Sequence, residues 1–411
     1  MNNVDLAELT SEAERLDAAD PLGQYRDRFV GHDDESIPAY LDGNSLGRPL
    51  KASLSRMQDF MEQQWGGQLI RGWDEAWLSL PEQIGDELGR AALGAAPGQT
   101  VVADSTTVLL YKLTVAAIQA RPGRSEILID RDNFPTDRFI VEGLARQFGL
   151  TVKWLEADVD GGVTAHALSE AVGPKTAVVV LSHVAYRSGF LADMSALTDI
   201  VHHAGALMLW DLCHSVGVVP IELDRCDVDL AVGCTYKYLN GGPGSPAFAY
   251  VNKRHHGILE QPIHGWLGSD DPFGMGDQYR PAAGIRAFTS GTPPILGMLS
   301  MQDMIVLIGE AGIDAVRRKS VLLTEYAVTL VDQRLAPLGV ALSSPRDIRQ
   351  RGSHITVDHY RFKEINEQLW GQGIIPDFRN PSGLRLGLSP LSTSFAEVAR
   401  GVEAIAAELA R

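Results

Sequence analysis

The chain lacks the features that mark several classes of protein. It has 36 basic against 52 acidic residues and a formal net charge of −16, and its longest basic run is Arg317-Arg318-Lys319, so no nucleic-acid-binding face is predicted. Its three cysteines, Cys213, Cys226 and Cys234, have no metal-type spacing, and we interpret them as reduced thiols of a cytoplasmic protein. Apolar runs such as 176–181 are far shorter than the roughly 20 residues of a membrane helix, and the N-terminus shows no signal-peptide pattern. We therefore expect a globular cytoplasmic protein that binds neither nucleic acid, membrane nor metal.

Strand-like and helix-like segments alternate through the middle of the chain. Between about residues 100 and 252, apolar runs such as Ile127-Leu128-Ile129 are separated by helical patterns such as Asp137 to Phe148. This alternation is typical of βαβ units, in which helices cover both faces of a mostly parallel sheet. After Pro293-Pro294 a long helical stretch, broken near residues 310–312, precedes mixed short strands and helices. We predict an N-terminal segment (1–50) that packs with the small domain, a large α/β domain (51–300) and a smaller α+β domain (301–411).

Two residues next to predicted strands indicate a cofactor. Asp211 closes the apolar run 206–210, and Lys237 lies in the Gly-rich run 233–244. Pyridoxal 5′-phosphate (PLP) is held by a lysine as a Schiff base, and its ring nitrogen needs a carboxylate to stay protonated. A charged side chain that closes an apolar strand is costly unless it is paired, and a pyridinium N–H is a suitable partner. The pair therefore predicts a PLP site, with a helix N-cap (Asp211) and a surface loop (Lys237) as the simpler alternatives.

Other candidates flank this pair. Thr106 and Thr107 stand at a predicted helix start, where hydroxyls and free N–H groups bind phosphate or simply cap the helix. Phe134 follows a strand and could stack on a flat ring or belong to the core. His214 could orient Asp211 or be a core histidine, and Tyr236 could donate to phosphate or act as a general acid.

An arginine in the middle of a strand pattern is a candidate substrate anchor. Arg385 lies in Gly383-Leu384-Arg385-Leu386-Gly387. A buried arginine needs a carboxylate, and its planar fork suits the α-carboxylate of an amino acid. The alternative is a salt bridge within the protein.

With these residues collected, the sequence resembles the kynureninases, PLP enzymes of fold type I. The resemblance covers nearly the whole chain and is carried by Tyr40 to Gly47, Leu69 to Trp73, Asn133 to Asp137, Trp210 to His214, Cys234 to Gly244, Gly265-Trp266, Gly291 to Ile295, Arg351 to His354 and Pro390-Leu391. It implies a mostly parallel seven-stranded sheet in the large domain, a small C-terminal domain and a homodimer with sites at the subunit interface. It also implies hydrolysis of L-kynurenine to anthranilate and L-alanine, a reaction of tryptophan catabolism and NAD biosynthesis.

The resemblance further implies a role for each matching residue. Lys237 would bind PLP covalently. From the chemistry of the groups themselves we further expect Lys237 to take up the α proton of the substrate, with Tyr236 as a plausible acid for the β carbon. The other cofactor-binding residues would be Thr106, Thr107, Phe134, Asp137, Ser182, Asp211, His214, Tyr236, Trp266 and Thr292. The substrate would contact Arg385 through its carboxylate, and Trp73, Thr292 and Asn44 elsewhere.

Four positions depart from the family pattern and leave alternatives open. Leu109 and Ala185 stand where asparagine is usual, Ser269 where histidine is usual, and Ser392 where tyrosine is usual. Because each exchange removes a polar or aromatic group, a substituted kynurenine in a biosynthetic route is an alternative substrate. A β-lyase or cysteine desulfurase reaction is a second alternative, and a catalytically inactive binding scaffold is a third.

Overall fold

A computed structural model describes residues 6–411 of the protein. The helices are α1 (Leu6–Ala18), α2 (Lys51–Asp59), α3 (Gly66–Gln68), α4 (Leu80–Leu88), α5 (Thr106–Gln119), α6 (Pro135–Phe148), α7 (Ala165–Ala171), α8 (Met194–His203), α9 (Ile295–Ala311), α10 (Ile313–Leu330), α11 (Phe362–Gly371) and α12 (Phe395–Leu409). The strands are β1 (Ala39–Tyr40), β2 (Thr100–Ala103), β3 (Glu126–Asp130), β4 (Thr151–Leu155), β5 (Thr176–Ser182), β6 (Leu207–Asp211), β7 (Leu230–Gly233), β8 (Ala247–Val251), β9 (Ala341–Leu342), β10 (His354–Asp358), β11 (Ile374–Ile375), β12 (Asp377–Arg379) and β13 (Gly383–Gly387).

A seven-stranded sheet forms the centre of the larger part of the molecule. Its strand order is β2-β8-β7-β6-β5-β3-β4, and β8 runs antiparallel to both of its neighbours while the other pairs are parallel. The central strands β5 and β6 are buried almost throughout, because helices cover both faces. The predicted α/β fold with a mostly parallel sheet is confirmed.

A second, antiparallel sheet lies near the C-terminus. Its order is β12-β13-β10-β9, and the predicted last helix is confirmed as α12, which begins with a capping box between Ser394 and Glu397. Asp17 of α1 accepts hydrogen bonds from the first backbone N–H groups of α12, and β1 pairs with β11. The N-terminal segment therefore contacts this sheet domain, while the boundaries near residues 50 and 300 stay predictions.

No single helix within residues 6–411 is long and apolar enough to cross a membrane, although the bent pair Ile295–Ala311 and Ile313–Leu338 meets that test by length and composition when taken together.

A buried ion cluster supports the amino end of β7. Asp229 accepts hydrogen bonds from His202 Nε2 (2.8 Å), His255 Nε2 (2.7 Å), Arg254 (2.6 Å) and the backbone N–H of Met208 (2.8 Å). Burial alone would raise the pKa of Asp229, but these hydrogen bonds hold it well below its ordinary 3.8. The hydrogen bond to Asp229 raises the pKa of His202 above its ordinary 6.5.

This cluster predicts a pH window of stability. The contribution of Asp229 is present above pH 3.8 and is lost as the pH falls towards its folded pKa, whereas that of His202 is present below pH 6.5 and is lost as the pH rises. We expect Asp229→Asn to lower the free energy of unfolding by about 3 kcal/mol, because the buried carboxylate loses its charge-assisted hydrogen bonds with His202, Arg254 and His255. Urea unfolding from pH 4 to 8 measures this, with the exposed Asp227→Asn as the control. If the free energy of unfolding changes with pH in the same way for Asp229→Asn and the unmodified protein, the prediction is wrong.

Candidate active site

The carboxyl edge of the large sheet gathers the chemically active residues. Ser182 ends β5 and Asp211 ends β6, and the two are paired in register on neighbouring parallel strands. Lys237 lies in the turn that follows β7, the next strand in the sheet. Parallel strands end at one edge, so residues far apart in the chain meet there.

Lys237 contacts His214 directly. Lys237 Nζ lies 2.9 Å from His214 Nε2, and only 8% of the lysine is exposed. Nζ is also 5.8 Å from the ring centroids of Phe134 and Tyr236. Burial and then the charge of Lys237 hold the pKa of His214 well below its ordinary value, so the imidazole is neutral. The predicted group of Lys237, His214, Phe134 and Tyr236 is thus brought together.

Buried carboxyl groups lie beside this lysine. Asp211 is 6% exposed, and its Oδ1 accepts a hydrogen bond of 2.8 Å from the backbone N–H of Cys213. Asp137, in the first turn of α6, is buried, and its Oδ2 has no hydrogen-bond partner in the described part of the chain. Burial, followed by the charges of Asp211 and Asp130, raises the pKa of Asp137. Ser182 reaches the same region through Asn133, whose side-chain oxygen accepts its hydroxyl at 3.0 Å.

The N-terminus of α5 supplies backbone donors. The helix begins at Thr106, two residues before the predicted start, because Ser105 acts as N-cap and its hydroxyl accepts from Val108. The N–H groups of Thr106 and Thr107 belong to the first turn, which has no acceptor within a helix. Cys213 Sγ lies 4.0 Å from Thr106 Oγ1, which places this helix end next to the segment that follows Asp211.

Arg385 is buried between two strands and is already paired. Asp377 is its register partner and accepts from Nε at 2.7 Å. The guanidinium also donates to the Tyr186 carbonyl (2.7 Å) and to Ser45 Oγ (2.9 Å). The salt bridge weighed as the alternative is therefore present, and the binding of a substrate carboxylate by Arg385 stays a prediction.

The segment from Tyr40 to Gly47 packs against the lysine turn. The backbone N–H of Gly47 donates to the Tyr236 carbonyl at 2.9 Å, and a Cβ at Gly47 would come within 2.4 Å of the Lys237 carbonyl. Only glycine allows this approach. Asn44 is completely buried against Gly387, and neither polar atom of its side chain has a hydrogen-bond partner within residues 6–411.

The remaining predicted residues, Trp73, Trp266 and Thr292, line cavities. Trp73, Trp266 and Thr292 surround a cavity of about 220 Å³. Thr292 also lines a cavity of about 410 Å³ that reaches Asp104 and Ser105 at the start of α5. A third cavity, of about 490 Å³, shares Trp73 and Thr292 with the first. Thr292 thus links the cavity beside Trp73 and Trp266 to the one at the start of α5.

The structure shows contacts near the site that the sequence analysis did not predict. Tyr186 packs edge-on against Phe134 (centroids 5.4 Å apart), and Ser45 and Asp377 hold Arg385. Ser45 could have been found from the sequence, because it lies in the Tyr40 to Gly47 motif of the family resemblance. Asp377 and Tyr186 carry none, because their partners are set by strand pairing and loop packing.

Comparison with protein-family models gives two matches. Residues 316–405 match the kynureninase C-terminal domain, and residues 91–221 match the DegT/DnrJ/EryC1/StrS aminotransferase family. Kynureninase from Burkholderia pseudomallei (strain K96243) is 42% identical over 404 residues, covering 96% of this chain and 94% of that protein. Kynureninase from Pseudomonas fluorescens is 39% identical and covers 93% and 91% of the two chains.

Solved structures share the fold. An apo cysteine desulfurase from Thermococcus onnurineus NA1 superposes with a TM-score of 0.81 at 17% identity, covering 94% of this chain and 98% of that chain. A variant of C-DES with glycine covalently linked to its PLP cofactor gives 0.80 at 18% identity with the same coverage. At such identities the likeness concerns the fold alone, and it confirms the predicted fold type I.

Proposed function

Because the chain belongs to the kynureninase family, we propose that it uses PLP to hydrolyse L-kynurenine to anthranilate and L-alanine, in tryptophan catabolism and NAD biosynthesis. The observation that carries the proposal is the placement of Lys237 and Asp211 at one sheet edge, in a chain with this relationship. We also propose a cytoplasmic location, because Cys213, Cys226 and Cys234 are all free and buried.

The residues at the sheet edge fit PLP. A buried carboxyl oxygen of Asp137 and a buried ring nitrogen of His214 have no partner among residues 6–411, as expected where a polar ligand supplies one. Phe134 offers a half-buried aromatic face within reach of Lys237, and the first turn of α5 offers donors to a phosphate. Lys237 would hold the cofactor, with Asp211 at the ring nitrogen and Asp137, Ser182 and His214 around the ring.

When bound, PLP withdraws electrons from the bonds at the α carbon of an attached amino acid. Lys237 would take the α proton, and neutral His214 is placed to accept a hydrogen bond from its Nζ. Burial raises the pKa of Tyr236, so its hydroxyl keeps its proton and can deliver it to the β carbon as a general acid. Water would add to the γ-carbonyl and the β–γ carbon bond would break. The γ carbon would leave as the carboxylate of anthranilate, and the β carbon would take the proton from Tyr236 to become the methyl group of alanine.

Incubation of the purified protein with kynurenine, 3-hydroxykynurenine and cysteine tests the proposal. We expect anthranilate fluorescence with stoichiometric alanine from kynurenine, and no sulfide from cysteine. Sulfide release without anthranilate would reject the proposed function in favour of a desulfurase. Buried positions for all three cysteines argue against that reaction, because a persulfide acceptor has to be reachable.

A second candidate is a ring-substituted kynurenine. The cavity beside Trp73 and Thr292 continues into the larger apolar one, lined by Phe60, Trp65 and Trp77. This volume exceeds what a single aminophenyl ring fills. Higher kcat/KM for an alkyl- or halogen-substituted kynurenine than for kynurenine would support this candidate, and the reverse ratio would exclude it.

Arg385→Lys tests the carboxylate anchor. Lysine keeps the charge but loses the two-pronged fork, so we expect KM for kynurenine to rise by about tenfold to a hundredfold with a smaller change in kcat. Arg379→Lys is the matched control, because Arg379 also pairs with Asp377 but is more exposed. Equal KM changes in both variants would show that Arg385 has only a structural role.

We further propose that the protein acts as a homodimer, with the face formed by residues 51–71 at the contact. Apolar side chains on this face are half or more exposed, namely Leu54, Met61, Trp65, Leu69 and Ile70. Several of them line the cavity next to Thr292, so the face adjoins the candidate site. Several large apolar side chains exposed along one segment favour a protein partner, and a second copy of this chain is the one that the family suggests.

Met61→Asp tests the dimer. A charge within an apolar contact is costly to bury, so we expect the variant to elute as a monomer of 44.6 kDa while the unmodified protein has twice that mass in light scattering. Tyr360→Asp alters a side chain that is 83% exposed between β10 and α11, outside the 51–71 segment, and this variant should stay dimeric. An unmodified protein that is monomeric at micromolar concentration would contradict the proposal.

A further inference from the structure

His354 stands at the start of β10 and packs against the histidine that contacts Lys237. Its side chain is completely buried, and its ring centroid lies 5.5 Å from that of His214 with 53° between the ring planes. His214 Nε2 is in turn 2.9 Å from Lys237 Nζ. The three side chains therefore form a continuous row from the small sheet to the lysine.

The polar atoms of this row are incompletely paired. Neither ring nitrogen of His354 has a hydrogen-bond partner in the part of the chain that the structure describes, and the same holds for Nδ1 of His214. Backbone acceptors at Tyr186 and Arg187 lie close enough to the ring to raise the pKa of His354 in part, although neither meets the geometry of a full hydrogen bond. A buried nitrogen without a partner is destabilising, so packing alone would favour a hydrocarbon ring at this position. A small rotation of either imidazole would pair the two rings.

Charges on both sides keep the two rings neutral. Burial and then the charges of Arg385 and Lys237 lower the pKa of His354 to about 3, and burial followed by the charge of Lys237 lowers that of His214. A neutral imidazole has one N–H and one bare nitrogen, so its tautomer decides which side can accept. Only the tautomer with the proton on Nδ1 leaves Nε2 of His214 able to accept from Lys237.

The backbone around His354 has little freedom to move. A Cβ at Gly189 would lie 2.6 Å from the His354 carbonyl, and the N–H of Gly352 donates to the Gly189 carbonyl at 2.7 Å. The loop that carries Tyr186 and the strand that carries His354 are thus packed closely together. This close packing fixes the backbone that carries His354 beside His214, so the ring can turn only about its own side-chain bonds.

We propose that His354 is a positioning residue for Lys237 that acts through His214. Its bare nitrogen accepts the Nδ1 proton of His214, which keeps Nε2 of His214 bare and directed at Nζ. The assignment rests on the proposed function only in taking Lys237 as the lysine that binds the cofactor. It does not depend on which amino acid is the substrate.

His354→Phe and His354→Gln separate this role from packing. We expect His354→Phe to slow the capture of PLP by cofactor-free enzyme about tenfold and to mix the His214 tautomers seen in ¹⁵N-histidine NMR, as loss of an orienting partner does elsewhere. The amide oxygen of His354→Gln can accept the same proton, so this variant should stay within about twofold of the unmodified rate. If His354→Phe does not fold, His354→Leu takes its place.

His183→Phe is the matched control. His183 is another buried histidine with an unpaired Nδ1 in residues 6–411, but it packs edge-on against Trp210 instead of His214. We expect its PLP capture rate and the His214 tautomer to be unchanged. Unchanged capture and an unchanged tautomer in His354→Phe would overturn the proposal, as would equal losses in His354→Phe and His354→Gln. If the unmodified enzyme does not cleave kynurenine but His354→Phe still mixes the His214 tautomers, only the proposed substrate is wrong and the proposed role of His354 stands.

Discussion

Lys237→Ala is expected to lower turnover of kynurenine by at least about four orders of magnitude. This side chain has both to bind the cofactor covalently and to carry the α proton, and its contacts are with the imidazole of His214 and the ring of Phe134, neither of which can form an imine. Loss of both functions together therefore leaves only the reactivity of free PLP.

The measurement combines kinetics with covalent chemistry. After borohydride reduction of the unmodified enzyme, mass spectrometry of the tryptic peptide should find the cofactor on Lys237. Lys237→Arg is the control, because it retains a cation beside His214 but cannot form the imine. If Lys237→Ala still retains PLP covalently after reduction, another lysine binds the cofactor and the assignment is wrong.

Asp211→Asn is expected to lower kcat by about two to three orders of magnitude, the typical loss when one preorganised electrostatic partner is removed. The amide oxygen can still accept the hydrogen bond from the backbone N–H of Cys213, so the local fold should survive. The amide has no charge, however, and cannot hold a proton on the ring nitrogen of the cofactor. PLP bound to this variant should therefore be a much weaker electron acceptor.

Asp130→Asn is the matched control for this prediction. Asp130 ends the nearby strand β3 and is 9% exposed, and burial raises its pKa to about 7. Because its carboxyl group is partly protonated at neutral pH, the neutral amide should change kcat by less than about tenfold. Equal losses in the two variants would show that Asp211 acts through general electrostatics at the sheet edge, without a specific partner.

The sequence predicted the parts of the fold that depend on local pattern. Alternation of apolar runs and helical periods predicted the parallel sheet, and the run from Phe395 to Leu409 predicted α12 to the residue. Helix starts were less accurate, since the Ser105 cap and Pro135 extend α5 and α6 by two residues at their N-termini. These signals are local, because periodicity and caps act between residues a few positions apart.

Part of the candidate active site was also predictable from the sequence. Asp211 and Lys237 were recognisable because a charged residue at a strand end and a lysine in a Gly-rich turn are unusual, and parallel strands bring their carboxyl ends to one edge. Their shared sheet edge followed from topology. The contact of Lys237 with His214 did not, because it depends on how two turns pack.

The amino-acid sequence alone therefore determined the fold class, the sheet edge that carries the site and the two residues most suited to PLP. Only the tertiary structure decided that Arg385 pairs with Asp377, that His354 packs against His214 and that all three cysteines are buried. The physical reason is the sequence distance over which each interaction acts. Hydrophobic period and backbone capping are encoded within one element, whereas a buried charge or imidazole acquires its partner from whichever distant segment packs beside it.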